Sequence, residues 1–132
     1  MKTAVISAMF LVAALYDGLL GLAFLVAGDW IFQFTRVEPP NHMGYVQFPG
    51  ALLIIFAIMF AVIARRPREN RDLIPYGILL KVAYCGVAGY HWLASGIPRM
   101  WKPLVLIDLV FMILFLIAYQ SLRTHELAAE RR

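Results

Sequence analysis

Four long apolar blocks divide the chain, and short polar stretches separate them. The blocks cover about residues 4–27, 44–64, 73–94 and 103–122. A helix needs roughly 20 apolar residues to cross a bilayer core about 30 Å thick, and each block reaches that length. Because lipid offers no hydrogen-bond partners to the backbone, a block that spans the bilayer must be helical. The pattern predicts an all-α integral membrane protein, an antiparallel four-helix bundle that forms a single transmembrane domain over residues 1–132.

The composition agrees with this interpretation. The chain is 62% hydrophobic and 15% charged, whereas soluble domains are about 25% charged. The first residues resemble a secretory signal, but the apolar run continues to the length of a span, so we expect it to be retained. Cys85 is the only cysteine. A lone cysteine excludes a thiol-relay oxidoreductase and indicates a small buried side chain.

The basic residues predict which way the spans run. Arginine and lysine accumulate on the cytoplasmic side of membrane proteins, and here both ends of the chain and the second connection hold most of them. This side has Lys2, Arg65, Arg66, Arg68, Arg71, Arg123, Arg131 and Arg132, and the other side has only Arg36, Arg99 and Lys102. Both termini are therefore expected to be cytoplasmic. The net charge of +4 is explained by this asymmetry and by the attraction of basic residues to anionic lipid. It therefore indicates no nucleic-acid partner.

The first connection is the longest and is expected on the external side. Its "DWIFQF" stretch, residues 29–34, carries tryptophan and phenylalanine, which are typical of a short segment that lies at the headgroup level. Pro39 and Pro40 then end any helix. In the third connection, "SGIPRMWKP", we expect Trp101 to anchor the turn at the interface.

Three ionisable residues, Asp17, Lys81 and Asp108, lie inside the predicted spans. Each costs roughly 2.5–3.5 kcal/mol at a helix centre, so such side chains normally face the bundle interior and find partners. Asp17 also shares a helical face with small residues that permit close helix contact. These are Ala14, Gly18, Gly21 and Gly28. Asp17 is therefore expected to point into the bundle.

The third span has one polar seam. Lys81, Tyr84 and His91 recur with Gly77 and Ala88 at intervals of three and four residues, which places them on one helical face. Asp17 and Asp108 are expected at similar depths in the membrane, as judged from their positions along their spans. The long side chain of Lys81 can reach that depth.

We therefore expect a buried cluster with Tyr84 beside it and His91 above it. Asp17, Lys81, Tyr84, His91 and Asp108 are the candidates for ligand binding or proton handling. An equally weighted alternative is that the charges only fix the helix register. The sequence leaves the catalytic residues, if the protein is an enzyme, unidentified. Neither a metal site nor a cofactor is expected, since no corresponding motif occurs.

The layout resembles the small bacterial four-helix membrane proteins grouped as DoxX-like. The resemblance lies in the first span, "YDGLLGLAFLVAGDW", in the short apolar second span and in the final "LIDLVFMILFLIAY". It covers most of the chain. It implies a multi-pass protein of the bacterial cytoplasmic (inner) membrane. Some of those relatives are suggested to be membrane subunits of quinone-linked sulfur oxidation.

Three functions remain open at this stage. The leading one is a non-enzymatic accessory protein: a subunit of a larger membrane complex, or a binder of a small lipophilic molecule or quinone through the buried polar cluster. The first alternative is a proton-coupled transporter that works as a homodimer. The second is a membrane enzyme that acts on a lipid or isoprenoid, with Asp17, Asp108 and His91 as acid–base groups.

Overall fold

The described chain is built from four helices. The computed structural model describes the backbone of residues 1–130 and the side chains of residues 1–124. Arg131 and Arg132, which contributed to the predicted orientation, lie outside the described residues. The helices are α1 (Thr3–Thr35), α2 (Gly44–Arg65), α3 (Ile74–Ala94) and α4 (Trp101–Glu130), and a 3-10 turn, Arg71–Leu73, precedes α3. All four are long and apolar enough to cross a membrane, so the predicted all-α class with four membrane-length helices is confirmed.

Helix α1 is longer than the sequence pattern predicted. The expected end lay near residue 27, where Ala27 does have non-helical backbone angles (φ −130°, ψ 22°). The helix resumes after this kink and ends at Thr35. Arg36 then takes a left-handed conformation (φ 55°), and its amide donates to the Gln33 carbonyl. The "DWIFQF" stretch is therefore a kinked continuation of α1.

The aromatic side chains of this continuation divide between two faces. Trp30 and Phe34 are 61% and 72% exposed, and their rings stack with centroids 5.0 Å apart. Phe32, on the opposite face, is buried. Trp30 and Phe34 thus face outward, Phe32 joins the interior, and the location of the pair at the headgroup level stays a prediction.

The backbones of α1 and α2 are in direct contact. A Cβ atom on Gly21 would lie 2.5 Å from the Gly50 carbonyl oxygen, and one on Gly18 would lie 3.3 Å from the Ala57 Cβ. Such distances allow only glycine at position 21 and explain the small-residue face of α1, since small residues let membrane helices approach closely. This face packs on α2. The Asp17 carboxylate, one turn from Gly21 along α1, is bonded to Lys81 of α3.

One half of the molecule has a dense aromatic core. Helix α1 packs mainly on α2, and α3 packs mainly on α4. Phe10, Phe60 and Phe115 join the two pairs. The ring centroids of Phe10 and Phe115 are 4.6 Å apart, and those of Phe60 and Phe115 are 5.1 Å apart. The core also contains Ile6, Ala13, Ala14, Ile63, Ile74, Phe111, Ala118 and Leu122. In the other half, the same helices surround a cavity.

Candidate functional site

A buried trio of charges lies between the aromatic core and the cavity. Lys81 is 0% exposed, Asp17 is 1% exposed and Asp108 is 6% exposed. The Lys81 ammonium donates to Asp17 Oδ1 at 2.8 Å, to Asp17 Oδ2 at 2.9 Å and to Asp108 Oδ1 at 2.9 Å. An ammonium has three donors, so two carboxylates account for its hydrogen-bonding capacity.

Aromatic rings surround the ammonium on the sides that the carboxylates leave open. The Lys81 Nζ atom lies 5.6 Å from the ring centroid of Tyr16, 5.9 Å from that of Phe60 and 5.7 Å from that of Phe111. These distances fall within the range of cation–π attraction. Gly77, one turn before Lys81 on α3, leaves room for the Phe60 ring, since a Cβ there would lie 2.6 Å from that ring. Rings from three helices thus hold the ammonium against the two acids.

A cavity of about 620 Å³ begins at the trio. Its deep end is lined by Asp17 and Asp108 together with Tyr16 and Tyr84, whereas Lys81 is not part of the lining. Pockets for small organic molecules commonly enclose about 300–1,000 Å³ and are mostly apolar with a few polar groups. The walls follow that description, with Leu20, Phe24, Phe32, Val46, Leu53, Leu80, Trp101 and Leu104 among them.

The other end of the cavity lies at the connection between α1 and α2. Residues 37–40 of this connection line it, including Glu38, and Pro98 of the third connection lies there as well. Pro49 and Gly50 of α2 also belong to the lining. The cavity therefore runs from the middle of the helices, where the charges lie, to the end of the bundle that carries the longest connection.

Two tyrosine hydroxyls lie in this region without a partner. The hydroxyl oxygens of Tyr16 and Tyr84 are buried, and neither forms a hydrogen bond with any of the described residues. Buried tyrosine hydroxyls usually have a hydrogen-bond partner. Tyr84 was predicted from its place on the α3 seam. Tyr16 was missed, although a phenol next to Asp17 inside an apolar span was a signal that could have found it.

His91 lies apart from the cluster. Its side chain is exposed, and its ring lies against Tyr90 with centroids 5.3 Å apart. It is ten residues beyond Lys81, or about 15 Å along the helix axis. Neighbouring Val87, Tyr90 and Leu93 are exposed too, so His91 lies on an outward face of α3. The structure therefore brings together four of the five candidates, and His91 is the exception.

Trp101 packs against α1, and its role as an interface anchor stays a prediction. Its ring stacks on Phe24 with centroids 5.6 Å apart and meets Phe32 edge-on at 6.4 Å. It is half-buried and lines the cavity. Trp101 therefore packs against α1 through both of these phenylalanine rings.

The remaining polar chemistry is sparse in the described part of the chain. No group of three or more histidine, cysteine, aspartate or glutamate side chains is arranged to hold a metal ion among the described residues. The Cys85 thiol donates to the Val105 carbonyl at 3.6 Å, a packing contact between α3 and α4.

Comparison of the chain with protein-family models, with curated proteins and with solved structures gave no match. Conclusions about function therefore rest on the site itself.

Proposed function

We propose that this protein binds a small lipophilic molecule in the cavity, with the polar end of the molecule at Asp17, Asp108 and the two tyrosine hydroxyls. The observation that carries the proposal is the cavity of about 620 Å³ whose apolar walls end on a buried charge cluster. Apolar walls favour a lipophilic body, and a few polar groups at one end set its orientation. This is the function of a carrier or accessory subunit that holds its ligand without converting it.

The proposal includes an arrangement in the membrane. The four helices form an antiparallel bundle in the bacterial cytoplasmic membrane with both termini on the cytoplasmic side. Two contacts support the antiparallel order: Ser121 Oγ donates to the Met1 carbonyl at 3.2 Å, and Thr35 Oγ1 donates to Met100 Sδ at 3.2 Å. The arginines of the connection between α2 and α3 support the orientation. The cavity then opens near residues 37–40 on the external side.

The lipid-facing surface supports the same arrangement. Large apolar side chains are exposed along all four helices, with Leu19, Val26, Ile58 and Leu93 among the most exposed. Soluble monomers rarely expose apolar patches of more than a few hundred Å², and a bilayer covers such a surface without cost. The three buried charged side chains, in contrast, lie together in the interior, and a ligand that enters the cavity would meet Asp17 and Asp108.

A cavity-filling substitution tests the proposal. Leu104→Trp adds a large side chain to the cavity wall. Leu106→Trp, two residues further along α4, places the same side chain on the exposed face of the helix. Each protein is purified from its membranes in mild detergent and analysed by native mass spectrometry. We expect a small lipophilic molecule to be retained by the unmodified protein and by Leu106→Trp, and to be absent from Leu104→Trp. Equal retention by both variants, or no bound molecule in the unmodified protein, would contradict the proposal.

A further inference from the structure

The charges on the cavity lining are all of one sign. Three carboxylates, those of Asp17, Glu38 and Asp108, belong to the lining, and no lysine or arginine does. Lys81 is fully buried on the far side of the two deep acids, and its three donors are engaged by them. A molecule that enters the cavity therefore meets carboxylate oxygens and not the ammonium.

Asp108 has an oxygen that faces this space without a donor. Its Oδ1 atom accepts from Lys81, but no described residue donates a hydrogen bond to its Oδ2 atom. The Asp108 side chain is only 9% exposed. Both oxygens of Asp17, by comparison, accept from Lys81. The Oδ2 atom of Asp108 is not among the buried atoms without a partner in the described part of the chain, and Asp108 belongs to the cavity lining. Asp108 Oδ2 is therefore an acceptor that a ligand in the cavity can reach.

The number of acids exceeds the number of bases in the trio. Asp17 and Asp108 share the single ammonium of Lys81, so the ionised trio carries one excess negative charge. Burial of an unbalanced charge is costly, whereas a partner of opposite charge offsets the cost. One positive charge placed at Asp108 Oδ2 completes the balance.

The walls of the cavity also favour a cation. Six aromatic rings belong to the lining, which are those of Tyr16, Phe24, Phe32, Tyr45, Tyr84 and Trp101. The faces of such rings attract organic cations, most strongly where water is excluded. Aromatic walls and acidic ends together select against anions and for cations with an apolar body.

We propose that the ligand is a lipophilic organic monocation, an amine or a quaternary ammonium, whose positive group lies against Asp108 Oδ2. This inference rests on the proposed function, because it names the class of molecule that occupies the same cavity. A proton is the natural competitor for the same oxygen. The cation therefore binds more weakly as the pH falls and the carboxylate becomes protonated.

The other titratable groups around Asp108 belong to α1 and α3. They are Tyr16 and Asp17 on α1, and Lys81, Tyr84 and Cys85 on α3. At the far end of the cavity lie Tyr45 of α2 and Glu38 of the first connection. The cation and a proton compete for the same oxygen of Asp108, so the weakening is assigned to this carboxylate.

Two probes of the same shape isolate the effect of charge. Phenyltrimethylammonium and tert-butylbenzene differ by the replacement of a positive nitrogen with carbon. Their binding to the purified protein is measured by titration calorimetry, with empty detergent micelles subtracted. We expect the cation to bind at least about tenfold more tightly than its uncharged counterpart at about pH 8, and this advantage to shrink as the pH is lowered towards about 4, where carboxylates take up a proton. Asp108→Asn should abolish the difference between the probes, and Asp29→Asn, an exposed acid outside the lining, should leave it intact.

The unmodified protein decides the matter even where Asp108→Asn does not fold. Equal affinity for the two probes, or tighter binding of tert-butylbenzene, would overturn the inference and leave the proposed function standing. If neither probe binds, the inference also fails. The proposed function is then judged separately by whether Leu104→Trp loses the molecule that the unmodified protein retains.

Discussion

Replacement of Lys81 with methionine should be among the most destabilising single changes in the protein. Methionine keeps the apolar stem but removes an ammonium that forms three hydrogen bonds of 2.8–2.9 Å to two buried carboxylates. Hydrogen bonds to charged groups contribute about 1.5–3 kcal/mol each, which gives an upper bound of about 4.5–9 kcal/mol. The loss of the ammonium's own desolvation penalty offsets part of this. Removal of one partner from a buried pair typically costs about 3–5 kcal/mol, and we expect a loss of that size.

Removal of the acids that Lys81→Met leaves unpaired should restore part of the lost stability. Lys81→Met raises the excess of the ionised trio from one negative charge to two. The double variant Asp17→Asn/Lys81→Met returns it to one, and the addition of Asp108→Asn returns it to zero. Because the single changes leave groups unpaired that the combined changes remove, their effects should not add. We expect a coupling energy of about 2–3 kcal/mol in the double variant and further recovery in the triple variant.

Unfolding in mixed micelles measures these differences. The free energy of unfolding is obtained as the fraction of sodium dodecyl sulfate is raised, and the reactivity of Cys85 reports the transition, since its thiol packs against the Val105 carbonyl in the folded protein. Lys2→Met, which changes an exposed lysine, is the matched control. A loss for Lys81→Met below about 1 kcal/mol, as expected of a surface charge, would refute the reasoning. So would a double variant whose loss equals the sum of the two single losses.

Three further predictions concern the fold and its orientation. In a background without the native cysteine, Glu38→Cys should react with a membrane-impermeant maleimide applied from outside, and Arg68→Cys should not; labelling of Arg68→Cys from outside would contradict the orientation. Gly21→Ala should destabilise the protein by about 1–3 kcal/mol, because its Cβ would lie 2.5 Å from a backbone oxygen of α2. Gly86→Ala, whose Cβ meets nothing within 4 Å, should be neutral or stabilising, and equal effects in mixed-micelle unfolding would refute the contact. Trp30 as the single tryptophan should be quenched by brominated lipid, and protection from quenching would place it in the interior.

The helices follow closely from the sequence because their cause is local. Twenty or so apolar residues can satisfy their backbone in lipid only as a helix, so the extents of α2 and α3 are as expected. The predicted end of α1 was wrong because a helix can continue beyond a kink. The stretch after Ala27 contains no proline before Pro39, and its apolar side chains pack as well in a helix as in an irregular segment.

The association of Asp17, Lys81 and Asp108 could be predicted from the sequence for a different reason. A lysine and two acids in apolar spans are each costly without a partner. Helical periodicity gives the face on which each lies, and its position along the span gives its depth, so their association could be predicted. The cavity could not, because its shape depends on how the α1–α2 pair sits against the α3–α4 pair and on the path of residues 37–40. The same dependence explains why His91, which has the right periodicity, ends outside the site.

The most direct test of the account is an experimental density map of the protein purified from its own membranes into lipid nanodiscs. The cavity next to Asp17 and Asp108 is proposed to hold a lipophilic molecule. We expect elongated density that begins within hydrogen-bond distance of Asp108 Oδ2 and continues between the aromatic walls towards residues 37–40. A collapsed cavity with the tyrosines packed across it, or a space occupied only by ordered water, would contradict the central claim.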